Sequence, residues 1–202
     1  AMPSDPSVTI RRARQDDIDA LAALWEAFLQ EQTSLDDRIG PADDALARWR
    51  NDVPVWLDDA AYHLVVAASA DGLLGFVAAH RWTPPPIYRA DAEVYLTELY
   101  VAPDARERGI GTALVQSVQA WAHALDADRI RLQVLTANDD GKAFWDARAA
   151  TPLSETRTLP PAPHPSAPDD APHSTTDAAR PTKEQETSSP LGFQWNKPSR
   201  PS

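Results

Sequence analysis

The sequence predicts an α/β fold of the α+β type: a mixed, mostly antiparallel central sheet with helices on both faces. Two apolar strand patterns joined by Asp71-Gly72 indicate an antiparallel hairpin early in the chain. A strand, a loop with two glycines and an amphipathic helix follow over 93–125. The strand after them completes a β-α-β crossover. An apolar content of 43% over 202 residues suffices for one core.

The first half of the chain predicts one strand, two helices and the hairpin. Residues 7–13 alternate as a strand, and Asp16 or Asp17 can cap a first helix with an apolar stripe through Phe28. The polar run 30–44 is predicted as a loop. A second helix carries the apolar stripe Leu46, Trp49 and Val53, and Pro54 ends or kinks it. The hairpin strands are predicted over 63–68 and 73–80.

The second half alternates strands and helices. A strand over 93–101 leads through the glycine loop into a helix over 111–125. The remaining elements are predicted as a strand over 130–134, a helix over 138–149 and a final strand over 153–159.

The composition changes after residue 159. Ten of the 19 prolines lie between 160 and 201, among Ser, Thr, Ala and acidic residues with little to bury. The chain is therefore predicted to contain one domain over 7–159 and a Pro/Ser/Thr-rich tail over 160–202, largely disordered or loosely docked. The apolar piece 191–195 either docks on a surface or stays free, and the sequence leaves this open.

Composition also excludes several classes of function. With no cysteine, the chain has no disulfide framework, thiolate metal site or cysteine nucleophile. The net charge of −11 argues against nucleic acid as a partner and either favours a cationic substrate or simply maintains solubility. No apolar run is long enough for a membrane span and no signal pattern opens the chain, so a cytoplasmic location without membrane contact is expected. The oligomeric state is left open, with a homodimer among the options.

The segment from Leu96 to Leu114 carries the chemistry. An apolar strand runs through a Pro-containing loop to Gly109 and Gly111, and an amphipathic helix opens directly behind them. This order directs unpaired main-chain N–H groups and the positive end of a helix dipole at the loop. We therefore expect a phosphorylated ligand at this loop.

Two common phosphate-binding motifs do not fit. A Walker loop needs a lysine before Thr112, and a dinucleotide fingerprint needs a third glycine where Leu114 stands. What remains is Arg106-x-x-Gly109-x-Gly111 directly after the strand sequence Leu-Tyr-Val-Ala-Pro. Here the sequence resembles the GNAT superfamily of acetyl-CoA-dependent N-acetyltransferases, most closely over 93–145 and more weakly across 7–159.

The resemblance implies a set of coenzyme contacts, with acetyl-CoA as cosubstrate and no metal. The backbone of Leu99, Tyr100 and Val101 would pair with the pantetheine arm as though it were another strand. Asn138 would contact the coenzyme's amide arm, or would be a plain helix N-cap. The main-chain amides of the glycine loop would take the diphosphate, with charge at the rim from the two arginines; these residues are Arg106, Glu107, Arg108, Gly109, Ile110, Gly111 and Thr112.

The implied reaction is acyl transfer from a thioester to an amine, which must lose a proton before it attacks. Glu98 lies on the strand beside the cofactor and is either the base or an anchor for a cationic substrate. Glu93 and His80 are reserve bases, whereas His63 and His123 are interpreted as ordinary surface or core histidines. Main-chain N–H groups near Leu99 and Tyr100 would meet the developing oxyanion.

The sequence departs from the family where the leaving thiolate is protonated. The position of the usual tyrosine, seven residues after Asn138, holds Trp145, whose indole N–H is a poor acid. Trp145 then contributes coenzyme contact or packing, and water, Tyr100 or Tyr95 would donate the proton. The usual Gly-Phe pair is replaced within 148–151. The site is therefore either adapted or catalytically weakened. If it is weakened, the alternative function is an acyl-CoA-binding module. A third interpretation is that the tail recruits a protein.

The acceptor is expected to be a small-molecule or peptide amine. The segments 30–60 and 84–92 would line its pocket. Their acidic and tyrosine side chains either steer a cationic amine or form a solvated face; they are Asp36, Asp37, Asp43, Asp44, Asp58, Asp59, Tyr88 and Asp91.

Overall fold

A computed structural model describes residues 7–87 and 92–160, together with the backbone of 188–189 and 193–194. Its five-stranded sheet has the order β1-β2-β3-β4-β5. The first three neighbouring pairs are antiparallel, and β4 and β5 are parallel. The predicted mixed, mostly antiparallel sheet is thereby confirmed. The strands are β1 (Thr9–Arg12), β2 (Tyr62–Ser69), β3 (Gly72–Trp82), β4 (Glu93–Val101) and β5 (Arg129–Leu132).

Helices cover both faces of the sheet, as the fold class requires. Two of them pack with Phe76 and Tyr100 on one face, and the third packs with Val77 and Val94 on the other. The central strands β2, β3 and β4 are buried on both faces, which explains their near-continuous apolar runs. The helices are α1 (Ile18–Leu35) and α2 (Ala45–Asp58) on the first face, α3 (Ile110–Ala124) on the second, and α4 (Asp139–Asp146), which follows β5.

Three predicted features of the first half are corrected. The helix that starts at Ile18 runs on to Leu35, so the predicted loop over 30–44 begins later. Helix α2 continues through Pro54 and buries Val53 and Trp56 on either side of it. Asp17 makes no side-chain cap to α1; its carboxylate instead accepts hydrogen bonds from Arg11 at 2.7 and 2.8 Å.

The predicted final strand over 153–159 is wrong: residues 151–160 have no regular structure. Strand β5 consequently pairs only with β4 among the described strands. The disorder predicted for the tail and the docking of 191–195 lie outside the described residues, apart from a short antiparallel pair between β6 (Ser188–Ser189) and β7 (Phe193–Gln194).

Candidate active site

A β-bulge in β4 sets the geometry of the site. The pairing of β3 with β4 shifts between Ala78, which faces Glu98, and Ala79, which faces Leu96. Thr97 is the extra residue, and its hydroxyl donates to the Ala78 carbonyl at 3.1 Å. One inserted residue reverses the alternation of side chains. Leu96 therefore packs on the α3 face, while Glu98 points to the face covered by α1 and α2.

Glu98 is held there by a tryptophan from α1. The Trp25 indole Nε1 donates to Glu98 Oε1 at 2.9 Å, and the Trp25 ring stacks on Trp49 with 5.3 Å between centroids. Burial raises the pKa of Glu98 to about 7, and the indole hydrogen bond partly offsets the rise. The sequence predicted Trp25 only as a core residue. One chemical signal could have indicated a partner for Trp25, because a buried indole N–H usually needs a hydrogen-bond acceptor.

A row of aromatic rings lies beside Glu98. Trp56 stacks on Tyr62, Tyr62 contacts His80, and His80 contacts Tyr95, with centroid separations of 5.9, 6.0 and 5.7 Å. Tyr62, His80 and Tyr95 are register partners on three adjacent strands, which places their rings side by side. Burial lowers the pKa of His80 and so favours its neutral form.

A small cavity opens between these rings and the bulge. Its volume is about 20 Å³, room for about one water molecule. The cavity is lined by Trp56, Tyr62, His63, Leu64, Ala78, Ala79, His80, Thr97 and Glu98.

The two reserve bases are placed differently. His80 lines the same cavity as Glu98. Glu93 lies at the other end of β4, buried and ion-paired with Arg129 at 2.8 Å and Arg131 at 3.7 Å. His63 stacks on Trp121 with 4.9 Å between centroids, and burial lowers its pKa to about 4, as for a core histidine.

Strand β4 separates from β5 at the bulge. The parallel ladder joins Glu93–Leu96 to Arg129–Leu132 and ends there. The edge of β4 over 99–101 therefore has no partner among the described strands on its β5 side. This edge is where the resemblance implies main-chain pairing with the pantetheine arm.

The glycine loop forms the entrance to α3. Glu107 and Gly109 have positive φ values of 62° and 79°, and α3 begins at Ile110 without a side-chain cap. The first N–H groups of a helix lack intrahelical partners, and turns of this type make concave anion sites. Nothing lies within 4 Å of where a Gly109 Cβ would stand, so the loop leaves room for a ligand.

Helix α4 packs against the first turn of α3. A Cβ on Gly111 would lie 3.2 Å from the Phe144 ring, so this glycine makes room for α4. Trp145 packs against the apolar cluster on the α3 face, and its ring meets Phe144 edge-on at 5.0 Å. Arg148, at the end of α4, donates through Nη2 to the Thr112 hydroxyl.

Three predicted site residues have specific protein partners. Arg106 pairs with Glu31 of α1 at 2.5 Å and donates to the Val101 carbonyl at 3.0 Å, so α1 neutralises this rim charge. Tyr100 is 7% exposed. Its pKa is raised mainly by burial and to a smaller extent by the charge of Glu31. Asn138 is the N-cap of α4, and its Oδ1 accepts from the N–H of the third helical residue at 2.7 Å.

Three of the acidic residues expected near the acceptor have local partners. Asp36 pairs with Arg38 at 2.6 Å, Asp44 pairs with Arg48 at 2.8 Å, and Asp59 accepts from a nearby main-chain N–H at 2.8 Å. None of these three lines the cavity. Tyr88 and Asp91 lie outside the described residues.

The described residues contain neither a metal-binding cluster nor a membrane-spanning helix. Over 7–87 and 92–160, no cluster of three or more His, Cys, Asp or Glu side chains could hold a metal ion. Within the same ranges, no helix is both long and apolar enough to cross a membrane.

Comparisons with known proteins show which family the chain resembles. The sequence model described as the Acetyltransferase (GNAT) family matches residues 21–149. A phosphinothricin N-acetyltransferase of Streptomyces coelicolor is 27% identical over 140 residues, covering 68% of this chain and 78% of the relative. A phosphinothricin N-acetyltransferase of Alcaligenes faecalis is 30% identical over 112 residues, covering 55% of this chain and 53% of the relative.

Solved structures share the fold. An aminoglycoside N-acetyltransferase in complex with CoA matches with a TM-score of 0.63 at 16% identity, covering 80% of this chain and 99% of that chain. A GCN5-related N-acetyltransferase from Ralstonia eutropha matches with a TM-score of 0.61 at 22% identity, covering 75% and 97%. At these identities the likeness concerns the fold alone.

Proposed function

The chain belongs to the GNAT acetyltransferase family and is therefore an acyltransferase, and we propose that it transfers an acetyl group from acetyl-CoA to a primary amine by direct attack in a ternary complex. The amine belongs to a small molecule or to a protein lysine or N-terminus. The proposal rests mainly on Glu98, a carboxylate with a raised pKa at the point where β4 separates from β5. The curated relatives, named for acetylation of phosphinothricin, support a small-molecule acceptor.

The chain offers a matching cradle for the coenzyme. The β4 edge over 99–101, which pairs with no described strand on its β5 side, would hold the pantetheine arm by main-chain hydrogen bonds. The main-chain N–H groups between Arg106 and Thr112 would hold the diphosphate, and the open space at Gly109 fits that assignment. When bound, acetyl-CoA supplies a thioester whose carbonyl carbon accepts the amine nitrogen and whose thiolate leaves.

Glu98 serves as the general base. An alkyl amine is protonated near neutral pH, and raising the pKa of the Glu98 carboxylate to about 7 lowers the cost of taking a proton from it. The Trp25 indole holds Oε1, which leaves Oε2 to face the amine. N–H groups on the open edge of β4 near Leu99 and Tyr100 donate to the developing oxyanion. The Tyr100 phenol, kept protonated by its raised pKa, is the proposed donor to the leaving thiolate.

The row of aromatic rings beside Glu98 favours binding of the acceptor's amine end. Tyr62, Trp56 and His80 surround the approach to Glu98, and aromatic faces attract ammonium groups. The cavity admits little more than the reacting group, so the body of the acceptor lies outside it.

One observation favours a second candidate, an acyl-CoA-binding protein with weakened catalysis. Trp145 stands where the family pattern has a tyrosine, and it packs, partly buried, against the apolar cluster on the α3 face. If Tyr100 cannot protonate the thiolate, the fold binds the coenzyme without efficient turnover. Thiol release with a range of amines distinguishes the two, because a pure binder releases none.

Substitution of Glu98 tests the proposed base. Glu98→Gln keeps the size and the acceptor oxygen for Trp25 but cannot take a proton. We expect turnover, measured as thiol release, to fall about 100-fold or more, within the range of general base catalysis. Coenzyme affinity by calorimetry should stay unchanged. Glu26→Gln, the same change on the exposed face of α1, is the control. Full activity of Glu98→Gln would remove this residue from the mechanism.

A further inference from the structure

Arg148 is a partly buried cation that the proposed mechanism does not use. Its Nη1 donates to the Phe144 carbonyl at 2.6 Å, and its Nη2 donates to the Thr112 hydroxyl. The guanidinium carbon lies 3.4 Å from the centroid of the Phe144 ring. Its Nε is buried and has no hydrogen-bond partner. The side chain is therefore fixed in place while part of its donor capacity is unused.

The position of this charge is unfavourable without an anion. Thr112 is the third residue of α3, so the guanidinium lies at the positive end of that helix. A cation there is repelled by the helix dipole, whereas an anion is stabilised. No carboxylate of the described residues forms an ion pair with Arg148, and burial lowers its pKa. Arg106, in contrast, is paired with Glu31.

The packing of α4 explains why the guanidinium is held at this point. Phe144 lies against Gly111, which fixes α4 on the first turn of α3. Arg148 follows Phe144 by one helical turn and so reaches Thr112, the neighbour of Gly111. Ala149 then adopts a positive φ of 59°, and the chain turns away from α4 at this residue. The cation is thus held beside the glycine loop by the fold before any ligand binds.

We propose that Arg148 is a ligand of the coenzyme diphosphate, adding a charged fork to a site otherwise made of main-chain N–H groups. This proposal rests on the proposed function. The Nη hydrogens not used by Thr112 and Phe144 donate to phosphate oxygens. The anion supplies the negative charge that Arg148 lacks in the protein alone.

Calorimetry with three ligands tests the proposal. Arg148→Met keeps the stem and removes the charge, and Arg148→Lys keeps the charge and removes the fork. For Arg148→Met we expect about 10-fold or greater loss of affinity for CoA and for dephospho-CoA, as for loss of charged hydrogen bonds. Affinity for pantetheine, which has no diphosphate, should not change. The CoA affinity of Arg148→Lys should lie between that of Arg148→Met and that of the unaltered protein. Added salt should weaken CoA binding less in Arg148→Met than in the unaltered protein.

Matched variants separate the outcomes. Arg157→Met, in the exposed pair with Glu155, should bind CoA normally. If Arg148→Met does not fold, Arg148→Gln retains a donor to Thr112 and gives the same test. Equal CoA affinity in the Arg148 variants, or an equal loss with pantetheine, overturns the proposal. Failure of the unaltered protein to bind CoA would instead contradict the proposed function.

Discussion

Replacing Trp25 by phenylalanine isolates the hydrogen bond that tunes Glu98. The change keeps an aromatic ring against Trp49 but removes the indole N–H that lies 2.9 Å from Glu98 Oε1. This bond stabilises the ionised carboxylate, and burial opposes ionisation. Its loss should therefore raise the pKa of Glu98 above its value of about 7.

The expected size of the shift follows from the bond energy. A hydrogen bond to a charged group contributes about 1.5–3 kcal/mol, and one pKa unit corresponds to about 1.4 kcal/mol. A water in the adjacent cavity offsets part of the loss. We expect a rise of about one unit, so the ionised fraction at pH 7 falls from about one half to about one tenth.

The pH dependence of kcat/KM measures this shift in the free enzyme. The unaltered protein should gain activity as the pH rises through about 7, because the base must be ionised. In Trp25→Phe that rise should move about one unit upward, with about fivefold lower activity at pH 7 and near-normal activity at high pH. Trp49→Phe removes the same ring volume from the stack without touching Glu98 and is the control. An unshifted profile in Trp25→Phe, or an equal shift in Trp49→Phe, would refute the reasoning.

Three stability predictions follow from the backbone geometry, each measured as the free energy of unfolding in denaturant. Gly75→Ala would place a Cβ 2.5 Å from the Tyr100 carbonyl oxygen and should cost about 1–3 kcal/mol, whereas a Cβ on Gly40 would make only ordinary contacts, none nearer than 3.9 Å, so Gly40→Ala should be nearly neutral. Asn138→Ala removes the N-cap of α4 and should cost about 1 kcal/mol, with Asn138→Asp close to the unaltered protein. Ala149→Gly relieves a left-handed φ of 59° and should stabilise by about 1 kcal/mol; a loss of stability there would contradict the strain argument.

The sequence predicted β4, the glycine loop and α3 closely because each has a strong local pattern. It could not predict the bulge at Thr97, which arises from the pairing of β4 with β3. Without that inserted residue, Glu98 would share the face of Leu96 and point toward α3. The family resemblance identified Glu98 as a site residue. The direction of its side chain depends on the register between β4 and β3.

Other differences have equally local causes. The polar residues after Phe28 include good helix formers, so α1 extends to Leu35 despite its lack of apolar spacing. Pro54 removes one main-chain donor, but burial of Val53 and Trp56 favours continuation of α2. The strand predicted over 153–159 has no described neighbour to pair with, and alternation alone does not make a strand. Arg148 gave no signal as a site residue because only the packing of α4 places it beside Thr112.

The most direct test of amine acetylation uses the unaltered protein with acetyl-CoA and a panel of primary amines. The panel should include phosphinothricin, an aminoglycoside, simple alkyl and aryl amines, and a lysine peptide. We expect free thiol to appear only when an accepted amine is present, in step with acetylated amine detected by mass spectrometry. Binding of the coenzyme without thiol release for any amine would contradict the account.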